Sequence, residues 1–263
     1  MNDALNISNS ALNISNSALA AFYLIFLIPL LLFQRWQLGL SKPLITSVIR
    51  MTLQLAVVGL YLQTLFDFAN IYLNTLWLLV MILVASWTVC RQAGANVKAL
   101  LLPVLSGQVI ALSCLLPVLM IGVIQTQPWW QAQYLIPVAG MLLGNALSAN
   151  VLALERFHTS LKQRHDEFQF YLSLGSPAPA KPFIKEAFIA ALRPPMAAMS
   201  TLGIVSLPGM MTGQILGGTN PLLAVKYQLV IMIAIFLTVT LSVATTLMFA
   251  SRSAFNCYGQ LKM

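Results

Sequence analysis

Seven stretches of this chain, at residues 18–35, 44–66, 71–90, 99–124, 134–154, 196–216 and 222–250, are apolar over the length that a lipid bilayer demands. A hydrocarbon core about 30 Å thick takes roughly 20 helical residues to cross. Lipid offers no partner to a backbone N–H or C=O, so each crossing has to be a helix that satisfies its own backbone. Charged residues make up 8% of the chain, against about a quarter in a soluble domain. The expectation is an all-α, polytopic membrane helix bundle of about seven transmembrane helices, forming a single integral membrane domain over residues 1–263. Crossing the membrane uses almost the whole length, which leaves no room for a second soluble domain.

The net charge of +8 could point to nucleic acid, but its placement argues for lipid instead. Arg35 and Lys42 follow the first stretch, Arg91 and Lys98 the third, and Arg252 and Lys262 the seventh. The loops after the second, fourth and sixth stretches, and the N-terminal tail, contain no Lys or Arg. Basic residues mark cytoplasmic loops, so the N-terminus is expected outside and the C-terminus inside. Arg50 and Lys226 fall within apolar segments and can snorkel to the headgroups. Cys90, Cys114 and Cys257 are dispersed, without a CxxC pair, and no structural disulfide is expected. The tail 1–17 contains one heptapeptide twice, at 4–10 and 11–17, and reads as an exposed duplication. The first stretch lacks a basic leader and is read as a retained helix.

One polar island interrupts the apolar pattern. Residues 155–193 hold six of the 14 Lys and Arg and four of the six carboxylates. Placed inside the cell, this segment (a loop over 155–195) is a candidate docking surface. Phe168, Tyr171 and Leu172 share a helical face at i, i+3, i+4 spacing, and Glu167 stands near that helix's N-terminus, where a carboxylate complements the dipole. Leu174 and Gly175 close the helix, with Gly175 suited to a C-cap and Pro177 blocking continuation. Pro182 can open a second helix with Ile184, Phe188 and Leu192 on one face. An amphipathic helix presenting aromatic anchors fits recognition in a partner's groove, although it can equally lie on lipid. His158 and His165 lack the tight spacing and third partner of a metal site and are read as solvated.

Small residues recur at helical spacing in two stretches: Gly140 and Gly144, then Gly209, Gly213 and Gly217. Such ladders let helices approach closely in lipid, where packing drives association. Pro208-Gly209 sits at mid-depth of the sixth stretch and favours a kinked or broken helix, a device that transporters use at binding sites. Gln108, Asn145 and Asn150 are intramembrane amides suited to interhelical hydrogen bonds, and Trp129 and Trp130 to an interfacial belt. Met210 and Met211 are soft thioethers that also serve as packing residues.

The chemistry that is missing narrows the function. No carboxylate falls inside the seven stretches, which weighs against ion-coupled transport through acidic relays. No Gly-x-x-x-x-Gly-Lys-[Ser/Thr] occurs, so the chain carries no P-loop; if transport is driven by ATP, another polypeptide binds the nucleotide. No Gly-x-Ser-x-Gly, His-Glu-x-x-His or intramembrane histidine is present, and no enzyme reading emerges.

Certain runs carry a family likeness. Pro137-Val-Ala-Gly-Met-Leu-Leu-Gly-Asn145, Leu202-Gly-Ile-Val-Ser-Leu-Pro-Gly-Met-Met-Thr-Gly213 and Ala224-Val-Lys-Tyr-Gln228 resemble blocks of the FetB-like ABC transporter permease family. Leu172-Ser-Leu-Gly-Ser176 resembles that family's island and the coupling loop of bacterial ABC permeases. The resemblance, from about the second stretch to the seventh, implies a multi-pass permease of the inner membrane. It further implies an exporter of iron or another metal, paired with a separate ATP-binding subunit that uses the ATP. Two copies of this chain would then assemble with two ATPases, coupled through Glu167 to Gly175. Asn145, Pro208, Met210 and Met211 would line the path. Asn220 stands where relatives can carry an acid, a departure from the pattern. A secondary transporter without an ATPase, or a membrane sensor or scaffold, stays open on the residues alone.

Overall fold

A computed structural model describes residues 15–68, 70–94, 97–176 and 178–253. Most of the tandem repeat, Pro177, Cys257 and Lys262 lie outside the described residues. The chain divides into two compact units, residues 1–64 and 65–263. Among the described residues the secondary structure is helical throughout, apart from an isolated bridge between Leu202 and Ser206.

In the first unit, α1 (Asn16–Tyr23) starts at Ser15, whose hydroxyl accepts from the Ala18 N–H at 3.3 Å. A 3₁₀ turn, Leu24–Phe26, passes directly into α2 (Leu27–Arg35), so the first apolar stretch is a near-continuous helix. The next helix, α3, spans Ser41–Phe68. Tyr23 Oη and Thr52 Oγ1 lie 2.8 Å apart and join α1 to α3.

The second unit is a bundle. Asn70 caps α4 (Ile71–Gln92) by accepting from the Tyr72 N–H at 2.9 Å. Helix α5 (Val97–Pro117) loosens after Pro117 into a π-helical segment, Val118–Ile124, where the ring interrupts the regular ladder. Helix α6 (Ala132–Gln163) has 32 residues, a length of about 48 Å that exceeds the hydrocarbon core. The short α7 (His165–Ser173) leads to α8 (Lys181–Thr201), α9 (Gly209–Leu216) and α10 (Pro221–Ser253). Asn220 accepts from the Leu222 N–H at 2.9 Å and so caps α10, a local role that an amide fills as well as an acid does. Helix α10 packs along α5, α6 and α8; α6 packs in addition on α4 and α8.

The helices meet through small and polar groups as well as apolar ones. Ser86 Oγ of α4 donates to Gln108 Oε1 of α5 at 2.9 Å, and Asn150 Nδ2 of α6 donates to Ser242 Oγ of α10 at 2.8 Å. All four residues are buried. Of the described glycines, Gly107 of α5 lies tightest against a neighbouring helix. A Cβ there would stand 2.4 Å from Thr246 Oγ1 and 2.8 Å from the Ser242 carbonyl oxygen.

Among the described residues, five helical segments, 16–35, 71–92, 99–124, 132–163 and 221–252, are long and apolar enough to cross a membrane. The sixth apolar stretch is not one helix. It begins inside α8, which runs unbroken from the island through Pro194 and Pro195, stops at Thr201, and resumes only at Gly209. Between them the chain turns through Gly203 at φ +86°, with Ile204 and Val205 exposed. The break falls where Pro208-Gly209 predicts one. The boundary drawn at residue 193 between island and membrane stretch has no counterpart in the backbone, because consecutive prolines near a helix's middle bend it without ending it when neighbouring groups compensate.

Candidate functional site

The island is held by charge and aromatic packing. Both Glu186 oxygens are engaged: Oε1 lies 2.8 Å from Arg156, and Oε2 accepts from Arg164. The Arg164 guanidinium in turn sits 4.9 Å above the Phe183 ring and 3.5 Å from Glu167. Glu167 also accepts from the Tyr171 hydroxyl at 3.3 Å. These contacts tie α7 to the C-terminal end of α6 and the first turns of α8.

Helix α7 ends in a Schellman motif. Gly175 takes φ +68°, its N–H reaches the Leu172 carbonyl at 3.0 Å, and the Ser176 N–H reaches the Tyr171 carbonyl at 3.1 Å. A left-handed residue at this position favours glycine. The face carrying Phe168, Tyr171 and Leu172 turns inward: Phe168 is 1% exposed, its ring 6.1 Å from that of Phe183, and Tyr171 and Leu172 are half-buried against the same core. The reading of this face as exposed anchors is therefore corrected, since the apolar stripe meets its own chain. Phe170 and Leu174, 58% and 65% exposed, are the apolar groups that α7 offers outward. On α8 the buried stripe is Phe183, Ala187 and Ala191, with Ile184, Phe188 and Leu192 flanking it.

Beside this cluster a groove of about 660 Å³ opens between α6 and α8, lined by Leu152, Arg156, Lys185, Glu186, Ile189 and Arg193 among others. A second, more apolar slot of about 350 Å³ adjoins it at Leu152, where Asn145, Ser148 and Ala149 of α6 face Pro194, Pro195 and Ala198 of α8. Asn145 Nδ2 donates to the Met141 carbonyl at 2.8 Å and Ser148 Oγ to the Gly144 carbonyl at 3.2 Å. The Ser148 hydroxyl thus spends its one donor on α6, whereas the Asn145 amide keeps its second N–H and its carbonyl oxygen.

The other residues singled out from sequence occupy separate places. Pro208 precedes α9, and its carbonyl accepts from the Thr212 N–H at 3.0 Å; Met210 and Met211 are half-buried on α9, and none of the three lines the slot that holds Asn145. Gly140 meets Met81 of α4 at 3.4 Å from its Cβ position, and Gly217 meets only its own helix. Gly144, Gly209 and Gly213 have nothing within 4 Å of theirs. Gln108 and Asn150 make the interhelical bonds expected of intramembrane amides, whereas Asn145 bonds within its helix. Sequence reasoning passed over Gly107, Ser242 and Thr246, and the Arg156–Glu186–Arg164 cluster. The only available signal for the cluster was the concentration of opposite charges in one island. No group of three His, Cys, Asp or Glu able to hold a metal occurs among the described residues.

Residues 16–255 match a family described as an uncharacterised protein family, UPF0014. The chain belongs to that family. A UPF0014 membrane protein of Synechocystis is 37% identical over 232 residues, covering 86% of this chain and 89% of its own length. The Escherichia coli protein named probable iron export permease protein FetB is 31% identical over 92% of this chain and 93% of its own. The Arabidopsis thaliana protein named ALUMINUM SENSITIVE 3 is 32% identical over 81% and 77%. No solved structure matches the chain significantly. UPF0014 membership agrees with the apolar helices: this is a multi-pass membrane protein similar to proteins named as membrane proteins and a permease.

Proposed function

We propose that this UPF0014 chain is the membrane-spanning permease subunit of an ATP-driven ABC exporter of iron or another metal, in the cytoplasmic membrane. Seven spans with the N-terminus outside would place the α6–α7–α8 cluster in the cytoplasm. The observation that carries the reading is α7 itself. It is a short capped helix, clamped by Glu186 and two arginines to the C-terminal end of α6, and it holds Phe170 and Leu174 out to solvent. A rigid lever with outward apolar groups transmits a push from a partner into α6 and α8. The name of the FetB relative supplies the metal and the direction.

Two copies of the chain would face each other over the unpartnered small-residue surface of Gly144, Asn145 and Ser148 and over the break before α9. Irregular backbone and exposed Ile204 and Val205 at membrane depth need protein or a water-filled path beside them. In this arrangement Asn145, Pro208, Met210 and Met211 border the path, and Gly144, Gly209 and Gly213 serve contacts between copies. ATP is used by the partner, and this chain does no chemistry on the cargo.

The test is co-purification with the ATP-binding subunit and ATP-dependent metal flux in proteoliposomes. Phe170→Asp with Leu174→Asp is expected to abolish both complex and flux while leaving the purified permease folded. Undiminished complex formation rejects α7 as the docking element. Flux without any ATPase moves the chain to the class of secondary transporters.

A further inference from the structure

The groove between α6 and α8 has a charge that a path for bare metal ions would not have. Arg156, Lys185 and Arg193 line it, and its one carboxylate, Glu186, has both oxygens committed to arginines. Lys185 and Arg193 are exposed and make no ion pair among the described residues. They lie eight residues apart on α8, about 12 Å along its axis. Arg193 stands immediately before Pro194, where the groove gives way to the slot beside Asn145. A concave surface lined by one sign of charge concentrates ions of the other sign and repels its own.

We propose, building on the exporter reading above, that cargo enters this groove as an anion: the metal arrives inside a small, negatively charged polycarboxylate complex, not as a hydrated cation. Lys185 and Arg193 receive the carboxylates of that complex, and Arg156 borders them from α6. The slot beyond is consistent with such a cargo. Hard multivalent cations are held by carboxylate and carbonyl oxygens, and softer ones by imidazole or thiolate. The lining of the slot supplies one amide and one hydroxyl and none of those charged or imidazole groups. A metal that comes with its own ligands needs no ligand set from the protein; the protein reads the ligands' charge. The preference for basic residues on the inner face of membranes explains the sign of Lys185 and Arg193. It does not explain why two unpaired cations converge on the groove that adjoins the slot beside Asn145.

The experiment measures binding to the purified full chain in phosphatidylcholine nanodiscs, so that no anionic lipid competes. Iron(III)–citrate, citrate alone and hydrated Mn²⁺ are titrated against the wild type, the double variant Lys185→Gln/Arg193→Gln, the charge-keeping Lys185→Arg/Arg193→Lys, and Lys162→Gln as a neutralisation outside the groove. The complex is expected to bind and citrate alone to compete with it. Removing both charges should weaken binding about tenfold or more, as loss of charge-assisted contacts does. The charge-keeping pair and Lys162→Gln should stay within about threefold of wild type, and added salt should weaken binding. Tight Mn²⁺ binding that ignores the double variant overturns the inference, as does absence of binding by the complex. In the second case, phosphatidylglycerol retained by the wild type and lost by the double variant in native mass spectrometry makes the groove a lipid headgroup site. Binding without ATP-dependent flux in the presence of the ATPase sinks the exporter reading alone. ATP-dependent flux of hydrated metal, unchanged in the double variant, sinks the anion inference alone.

Discussion

A methyl group placed on Gly107 would stand 2.4 Å from Thr246 Oγ1 and 2.8 Å from a backbone oxygen of Ser242. The hydroxyl can turn away, but the carbonyl is part of α10 and cannot. Gly107→Ala is therefore expected to force α5 and α10 apart and cost about 1–3 kcal/mol, the usual penalty for overpacking. Thermal unfolding of the purified protein in detergent reads this as a clear fall in Tm. Gly144→Ala, with nothing within 4 Å, should leave the monomer's Tm unchanged, and any effect it has belongs to contacts between copies. The sequence pointed the other way, because Gly144 belongs to a visible ladder and Gly107 does not. A ladder shows that a close approach is permitted; which glycine uses it depends on residues far away in the chain, here Thr245 and Thr246. The two amides divide similarly. Asn150→Leu should remove the bond to Ser242 and cost about 1 kcal/mol, in line with polar bonds between membrane helices. Asn145→Leu breaks only a bond to its own helix, so a fall in flux without a fall in Tm would mark Asn145 as part of the path. An equal loss of Tm in both variants would remove that distinction.

At the scale of elements, α7 is the place where pattern and packing diverged. An i, i+3, i+4 stripe shows which face is apolar but not what covers it. Phe183, itself capped by Arg164, packs against it here, so Phe168 is a structural anchor and the outward groups are Phe170 and Leu174. Truncating a fully buried ring costs about 3–5 kcal/mol in a soluble core, more than a nine-residue helix can hold against fraying without its tertiary contacts. Phe168→Ala should therefore release α7, seen as a loss of amide protection over residues 165–176 in hydrogen exchange while α6 stays protected up to about Leu154. Glu186→Gln should produce a weaker form of the same release, because two arginines lose their shared partner while the rings still pack. Protection unchanged in both variants would mean that α7 is held by something other than this cluster. Element ends were read more reliably from local chemistry. Gly175 caps by the left-handed geometry that its sequence position implied, and the break before Gly209 falls at the proline that implied it. The run of α8 through Pro194 and Pro195 was not legible, since the bundle around the helix decides whether a proline bends it or ends it.

For the whole molecule, hydropathy was enough to establish the helical class and most of the long helices, because lipid leaves the backbone so little choice. It could not establish which side faces the cytoplasm, and the exporter reading depends on that side. The proposed arrangement puts the basic island inside and the N-terminus outside. With Cys90→Ser, Cys114→Ser and Cys257→Ser as background, Ser173→Cys places a single thiol on exposed α7. A membrane-impermeant maleimide should miss it in intact spheroplasts and label it once the membrane is opened. Asn16→Cys, at the start of α1, should be labelled already in intact spheroplasts and equally after opening. The pair is informative because an odd number of spans between the two positions, five in the proposed arrangement, requires opposite answers, whereas an even number between them requires the same answer. Labelling of Ser173→Cys from outside would put Phe170, Leu174 and the Lys185–Arg193 groove out of reach of any cytoplasmic ATPase or cargo. In that case the clamp at Glu186 would still hold α7, but as the anchor of an external surface and not as a lever.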